Sequence, residues 1–391
     1  MGFEDFFDLP QSDYEDEKRK FIGHMDSLKN MTNEEHTLFK KWIEIQGHRK
    51  SIDKASLVKA AIWRPTDLSN KELTLEELSK LEPDIHFVDP ADKSKMDEWL
   101  VLRTFIHTME FEQNPGRFLR FTIVDKNTGK YLGVTSLGSD VISISCRDKW
   151  VGWTEDMRIK QGKIRHSAIA TTIVAVQPFG YNFLGGKLIA SMMCMPAIQN
   201  AWKEMYDETL VGITTTSLYG KHSMYQRIPF WKELGETTGK IMLKPTDDYY
   251  QFWHHWLKDN KMEEYTDKTT GGNDGPATGI KQKILVMIMQ ELKMKQSTYM
   301  HGFKRGVYYS PFYENTREYL RGEIDESKLV PLKKLEGGIK PIMDWWTPKA
   351  IHRYESLMEQ GRLNPEILYY NRMIGMSWDE AKKTYLEDVG R

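Results

Sequence analysis

The stretch Thr171-Thr-Ile-Val-Ala-Val-Gln-Pro-Phe-Gly-Tyr-Asn-Phe-Leu-Gly-Gly-Lys-Leu-Ile-Ala-Ser191 runs from a strand pattern through a glycine-bearing loop into the start of a helix. A helix start presents unpaired backbone N–H groups and the positive end of the helix dipole. Glycines there let a phosphate approach the main chain, so Gly185 and Gly186 are candidates to hold a pyrophosphate, with Lys187 beside them. A tight turn explains the same two glycines, and their spacing matches neither a Walker A loop nor the dinucleotide fingerprint. A second candidate group is Arg147-Asp-Lys-Trp-Val-Gly-Trp153. Asp148 can orient a base or accept a hydrogen bond from an exocyclic amine, or simply pair with Arg147. Trp150 and Trp153 have the faces that stack on an extruded nucleobase, and equally the bulk of a buried strand end.

The elements that must position these residues follow from periodicity. Residues 33–100 carry helical spacing, with Leu38, Trp42 and Ile45 on one stripe and Thr74-Leu-Glu-Glu77 as a capping box. The pattern then alternates: Phe118–Val124, a turn at Asp125-Lys-Asn-Thr-Gly129, and Tyr131–Ser136 predict a hairpin. Val141–Ser145 reads as a further extended run, Thr171–Val176 as a strand, Leu188–Tyr206 as a helix despite Pro196, and Thr209–Thr215 as a strand. Residues 260–279 are polar and glycine-rich, and 280–391 read mostly as helix. The expected fold class is therefore α+β (α/β), a mixed sheet core flanked by helical N- and C-terminal modules. The expected divisions are a helical module over 1–97, a sheet domain over 98–258, a linker over 259–279 and a helical module over 280–391.

Composition limits the function classes. Among 391 residues, 55 are basic and 56 acidic, so the chain as a whole has no nucleic-acid charge signature and any such surface is local. Two cysteines are too few for a disulfide framework or a zinc site, and no metal is expected. No apolar run approaches the roughly 18 residues that span a bilayer, and the acidic N-terminus is unlike a signal peptide; a cytoplasmic location without membrane association is expected. Lys293, Lys295, Lys304, Arg305, Arg317 and Arg321 interleave with Tyr299, Tyr308, Tyr309, Phe312 and Tyr313. That mixture suits a strand-tracking groove, while tyrosines packing inside a helical module account for the aromatics as well.

Downstream lies Leu218-Tyr-Gly-Lys-His-Ser-Met-Tyr-Gln-Arg-Ile-Pro-Phe-Trp-Lys-Glu-Leu-Gly235, read as a tyrosine-bearing helix that leads to a turn and a last strand. A strand, an anion loop with its helix, a second strand, this Tyr225 segment and then Phe-Trp-x-x-Leu-Gly resemble the second half of the GNAT acyltransferase fold. The Arg147–Trp153 box, with His222, Ser223, Tyr225 and Gly235-Glu-Thr-Thr-Gly239, is similar to the Mom and Druantia-A superfamily over about residues 98–245. Proteins of the Mom type are phage enzymes that modify adenine in DNA, and the Druantia relatives belong to an antiphage defence system.

The resemblance implies roles by position. A CoA-type donor, acetyl-CoA or another acyl-CoA-like molecule, would lie along Val174 and Val176 with its pyrophosphate at Asn182, Gly185, Gly186 and Lys187. His107 would be the base, with the imidazole pKa near 6.5 that suits it; Asp148 would orient it or bind substrate, and Tyr225 would protonate the leaving thiolate. Arg147, Trp150, Trp153, His222 and Ser223 would contact the substrate. One departure stands out: Thr214-Thr-Thr-Ser-Leu-Tyr219 occupies the place where Mom-like sequences carry Asp-Pro. The expected function is a GNAT-like transferase that modifies DNA at an exocyclic base nitrogen. Two alternatives stay open: a non-catalytic nucleic-acid-binding subunit of the Druantia-A type, and an acyl-CoA transferase acting on protein or on a modified nucleotide.

Overall fold

A computed structural model describes residues 11–47, 60–107, 111, 116–217, 223–237, 240–270, 280–302, 304–333, 336–365 and 373–389. In chain order its principal elements begin with the helices α1 (Gln11–Asn30), α2 (Asn33–Gly47) and α3 (Lys71–Ser79). Then come β1 (Pro83–Val88), α4 (Lys93–Ile106), β2 (Phe118–Asp125), β3 (Tyr131–Ser139), α5 (Ser145–Val151) and β4 (Ser167–Ala175). The short α6 (Phe179–Asn182) leads to α7 (Gly185–Met192), α8 (Pro196–Tyr206), β5 (Gly212–Ser217), β6 (Lys232–Glu236) and β7 (Lys240–Met242). The rest comprises α9 (Asp247–Asn260), α10 (Met262–Thr270), α11 (Ile280–Glu291), β8 (Met300–Gly302), β9 (Gly306–Pro311), α12 (Thr316–Leu320), α13 (Lys340–Glu359) and α14 (Trp378–Val389).

The protein is α+β, with a seven-stranded mixed sheet of order β1-β2-β3-β4-β5-β9-β6 and flanking helices. Strands β1 to β4 are antiparallel neighbours, β4 and β5 run parallel, and β9 is antiparallel to both β5 and β6. The chain divides into two compact units. One combines residues 1–36 with 238–303; the other combines 37–237 with 304–391 and holds the sheet. Among the described residues no helix is long and apolar enough to cross a membrane.

Several expected elements differ from those observed, each for a local reason. Helix α3 starts earlier than the Thr74–Glu77 box, because Asn70 is the N-cap and accepts from the Leu73 amide. Inside the helix, Thr74 donates its hydroxyl to the Asp67 carbonyl instead. The strand β1 lies inside a segment read as helical; it is recruited by pairing along its own whole length with β2, from Pro83↔Asp125 to Val88↔Arg120. Val141–Ser145 forms no strand, since it leads into α5. The helix read over 188–206 is two, and Pro196 opens the second at the position where a missing N–H does least harm. Residues 262–270 of the expected linker are helical, and the expected helical C-terminal segment supplies β8 and β9. Strand β9 is apolar at Val307, Tyr308 and Tyr309, which are all buried between β5 and β6.

The sheet unit has its core under α4 and α7. Trp99 of α4 is fully buried, its indole N–H shared between the carbonyls of Phe121 and Thr135. Helix α7 buries Leu188, Ile189, Ala190 and Met192. It lies so close to the sheet that a Cβ on Gly133 would fall 2.5 Å from the Val174 carbonyl and 2.8 Å from Ile189. Glycine is therefore required on β3 where the helix crosses it.

Candidate functional site

Strands β4 and β5 pair over only three positions, Ser167↔Gly212, Ala168↔Ile213 and Ile169↔Thr214. At the next step along β4 the pairing with β3 is interrupted: Leu137 faces Ala170 but Ser136 faces Thr172, so Thr171 is an inserted residue. Such a bulge bends its strand and increases the local twist, and here it coincides with the point where β4 leaves β5. From Thr172 to Ala175, β4 pairs with β3 on one edge only. The loop after β4 then carries the chain into α7. Pairing between the two parallel strands thus ends next to the inserted residue, leaving an unpaired notch that leads on to a helix N-terminus.

Tyr225 sits at the fork of this notch. The Thr215 hydroxyl donates to the Ala170 carbonyl at 3.2 Å and lies 3.5 Å from the Tyr225 hydroxyl. The tyrosine ring packs against Trp231 and Tyr308, and burial pushes its pKa up to about 12. It lies in a turn, 224–227, not in a helix. The ammonium of Lys187 donates to the carbonyls of Met224 and Gln226, at 2.8 and 2.6 Å, on either side of that tyrosine. Ser223 receives the Tyr225 amide on its hydroxyl at 3.3 Å. The first turn of α7 thereby holds Tyr225 at the fork.

The glycine loop is tightly packed. Leu184, the N-cap of α7, adopts a left-handed φ of 54° and provides no side-chain cap, and its carbonyl accepts the Trp346 indole N–H at 3.1 Å. A Cβ on Gly185 would meet the Phe179 ring at 2.4 Å, and one on Gly186 would meet the Met224 sulfur at 3.0 Å. Asn182 is fully buried and donates to the carbonyls of Pro178 and Asn364 while its own oxygen accepts the Asn364 amide. It supports the loop from behind. Val174 is half-buried on the single-paired part of β4, and Val176 is buried with its amide donating to Leu132.

The Arg147–Trp153 box lies on the other face of the sheet. Thr214 and Thr215 are adjacent in a strand, so their side chains point to opposite faces. Thr215 meets Tyr225, whereas Thr214 donates to Asp140 at 2.8 Å. Asp140 also accepts from Ser167 at 2.5 Å and from the Arg147 guanidinium at 2.6 Å. Arg147, with no exposure, forks onto Asp148 Oδ1, and Arg158 takes Asp148 Oδ2 at 2.9 Å. Burial raises the Asp140 pKa, and the neighbouring Arg147 opposes that shift. Trp153 is buried, with its indole N–H on the Leu320 carbonyl at 2.7 Å and Arg147 over its ring. Trp150 packs on Tyr309 between Lys232 and Arg317. The box is therefore a buried ion network that joins α5 to the paired ends of β4 and β5.

His107 ends α4 in extended conformation, its amide donating to the Arg103 carbonyl at 3.0 Å. His222 lies outside the described residues. Of the residues singled out by the sequence, the fold brings Gly186, Lys187, Ser223 and Tyr225 into one place and puts Arg147, Asp148 and Trp150 on the opposite face. Among the basic and aromatic residues of 293–321, Tyr299, Tyr308, Tyr309 and Phe312 are buried, so packing accounts for them.

One feature escaped the sequence reading. Beside the start of α7 is a cavity of ≈ 350 Å³ whose lining includes Lys187, Arg227, Lys349, His352 and Arg353. The last three, with Trp345 and Ser356, recur at spacings of four, three, one and three residues along α13, which puts them on one helical face. That spacing was the available signal. The groups of His, Cys, Asp and Glu among the described residues form no metal site.

A family model described as Druantia protein DruA matches residues 41–322. The match covers the whole sheet and ends before α13. The comparisons with curated proteins and with solved structures return no match.

Proposed function

The chain belongs to the Druantia protein DruA family, and on that premise we propose that it acts in antiphage defence as a GNAT-type transferase that modifies DNA at an exocyclic base nitrogen. The observation that carries this reading is the parting of β4 from β5 at the Thr171 bulge, with Tyr225 at the fork and the α7 N-terminus beyond it. An elongated acyl-CoA-like donor fits this arrangement. The single-paired edge of β4 at Val174 would offer backbone groups to its arm, and Lys187, with Gly186 beside it at the start of α7, would lie toward its phosphates, while the buried Gly185 keeps the turn tight.

When bound, such a donor supplies an activated acyl carbon and a thiolate leaving group. The chain's own residues then manage two protons. Tyr225 stays protonated through neutral pH because burial disfavours the phenolate, so its proton is available to the departing sulfur. Thr215 is the hydroxyl that can hydrogen-bond the phenolic oxygen afterwards. His107, partly exposed where α4 ends, would serve as the base that takes the proton released by the attacking nitrogen. Asp148 has both oxygens engaged by guanidinium groups, and in this reading it positions α5 beneath the strands. Arg147, Trp150 and Trp153 act with it as part of the same packed support.

Nucleosides from the DNA of cells expressing the chain, analysed by mass spectrometry, are expected to show a new adduct that disappears with Tyr225→Phe. An unchanged profile, in cells and with purified chain, DNA and acyl-CoA, would overturn the transferase. DNA binding that persists in that case would favour the non-catalytic subunit.

A further inference from the structure

The cavity beside α7 concentrates positive charge in a chain that has almost none to spare. Lys187, Arg227, Lys349 and Arg353 line it together with His352, and no carboxylate is among the lining residues. None of these four cations makes an ion pair among the described residues. Their bonds go to neutral groups: Lys187 to the carbonyls of Met224 and Gln226, and Arg353 to the Tyr181 carbonyl and ring. Lys349 lies over the Trp345 ring. They come from three separate segments, namely α7, the turn after Tyr225, and α13. Arg227 reaches the cavity from a left-handed backbone, φ 62°, a conformation that costs a residue with a Cβ about 1–2 kcal/mol.

With 55 basic and 56 acidic residues, a random surface of this protein would mix the two signs. Four unneutralised cations around one concavity repel one another, and the amides at the start of α7, which have no side-chain cap, add to the positive potential. The Lys187 pKa is lowered, first by burial and then by the charges of Arg227 and Lys349. An anion in the cavity offsets the repulsion among these cations. The volume is at the lower end of the range for small-ligand clefts, about 300–1,000 Å³, which suits a compact polyphosphate better than an extended backbone.

We propose that this cavity binds the phosphate groups of a small nucleoside-diphosphate-type ligand, and that α13, which lies beyond the residues matched by the family, supplies much of its charge. The site extends the donor assignment made above but stands on charge and shape alone. Specificity for the phosphates then resides in Arg227, Lys349 and Arg353, not in the packed glycine loop.

Calorimetric titration of the intact chain at low salt with inorganic pyrophosphate, ADP and a short DNA duplex tests this. Pyrophosphate and ADP are expected to bind. The double variant Arg227→Gln, Lys349→Gln, both exposed positions, is expected to weaken them at least about tenfold at an unchanged melting temperature, while Lys95→Gln on α4 leaves them unaltered. No binding of either anion, or equal binding by the double variant, would sink the proposal. Duplex binding that is lost in the double variant, with neither small anion bound, would assign the cavity to a nucleic-acid backbone and overturn it as well. Pyrophosphate binding alongside an unchanged nucleoside profile keeps this site and removes only the transferase.

Discussion

Tyr225 owes its place to Lys187, which bonds the carbonyls on both sides of it, so the two residues form one unit. Removing the phenolic oxygen deletes only a 3.5 Å contact. Tyr225→Phe is therefore expected to lower the transfer rate about 100-fold or more while leaving pyrophosphate affinity and melting temperature nearly unchanged; stopped-assay kinetics and calorimetry check the split. Lys187→Met removes two charge-assisted bonds, each worth about 1.5–3 kcal/mol, and is expected to lower the melting temperature as well as both activities. The glycines give opposite signs. Gly185→Ala forces a Cβ to within 2.4 Å of Phe179 and should destabilise by about 1–3 kcal/mol. Gly23→Ala, in the interior of α1 with nothing within 4 Å, should stabilise by about 0.5–1 kcal/mol. Urea unfolding of both variants measures the difference.

At the scale of elements, the notch depends on two things the chain supplies far apart: the Thr171 bulge and the ion network under the paired ends of β4 and β5. Arg147→Met would leave Asp140 and Asp148 buried with one fewer cation, and breaking a buried pair in this way costs about 3–5 kcal/mol. A loss of that size in urea unfolding is expected, and the double variant Arg147→Met, Asp140→Leu should recover part of it. The candidates at the glycine loop were legible because a strand, two glycines and an apolar helix are local patterns. The bulge was not, since an inserted residue is defined only against a partner strand. Asp148 shows the same limit: its sequence neighbours Arg147 and Trp150 suit base recognition and an ion network equally well, and only Asp140, Arg158, Ser167 and Thr214 decide for the network.

At the scale of the whole molecule, residues 238–303 leave the sheet unit and fold with the N-terminal helix, and the chain returns as β9. The unit formed by 1–36 and 238–303 contains His24, which stacks on Tyr249 and accepts the Thr246 amide on Nε2 at 3.1 Å. Burial pulls its pKa down to about 4. The unfolded chain therefore binds the proton more readily, so the stability linked to His24 is present above pH 6.5 and is lost as pH falls toward 4. Melting temperatures at pH 7.5 and pH 5 should show a drop that His24→Asn reduces; an equal drop in the variant would refute the linkage. By itself the sequence determined the local pieces: the hairpin, the strand that leads through Gly185 and Gly186 into a helix, the amphipathic helices and the resemblance built on them. Only the tertiary structure decided that β9 enters the sheet from the far side of a 66-residue excursion, that Asp148 and Tyr225 face opposite ways, and that α13 brings its cations to α7. Periodicity reports which face of an element is buried, whereas strand order and the meeting of distant charges depend on contacts that no local pattern encodes.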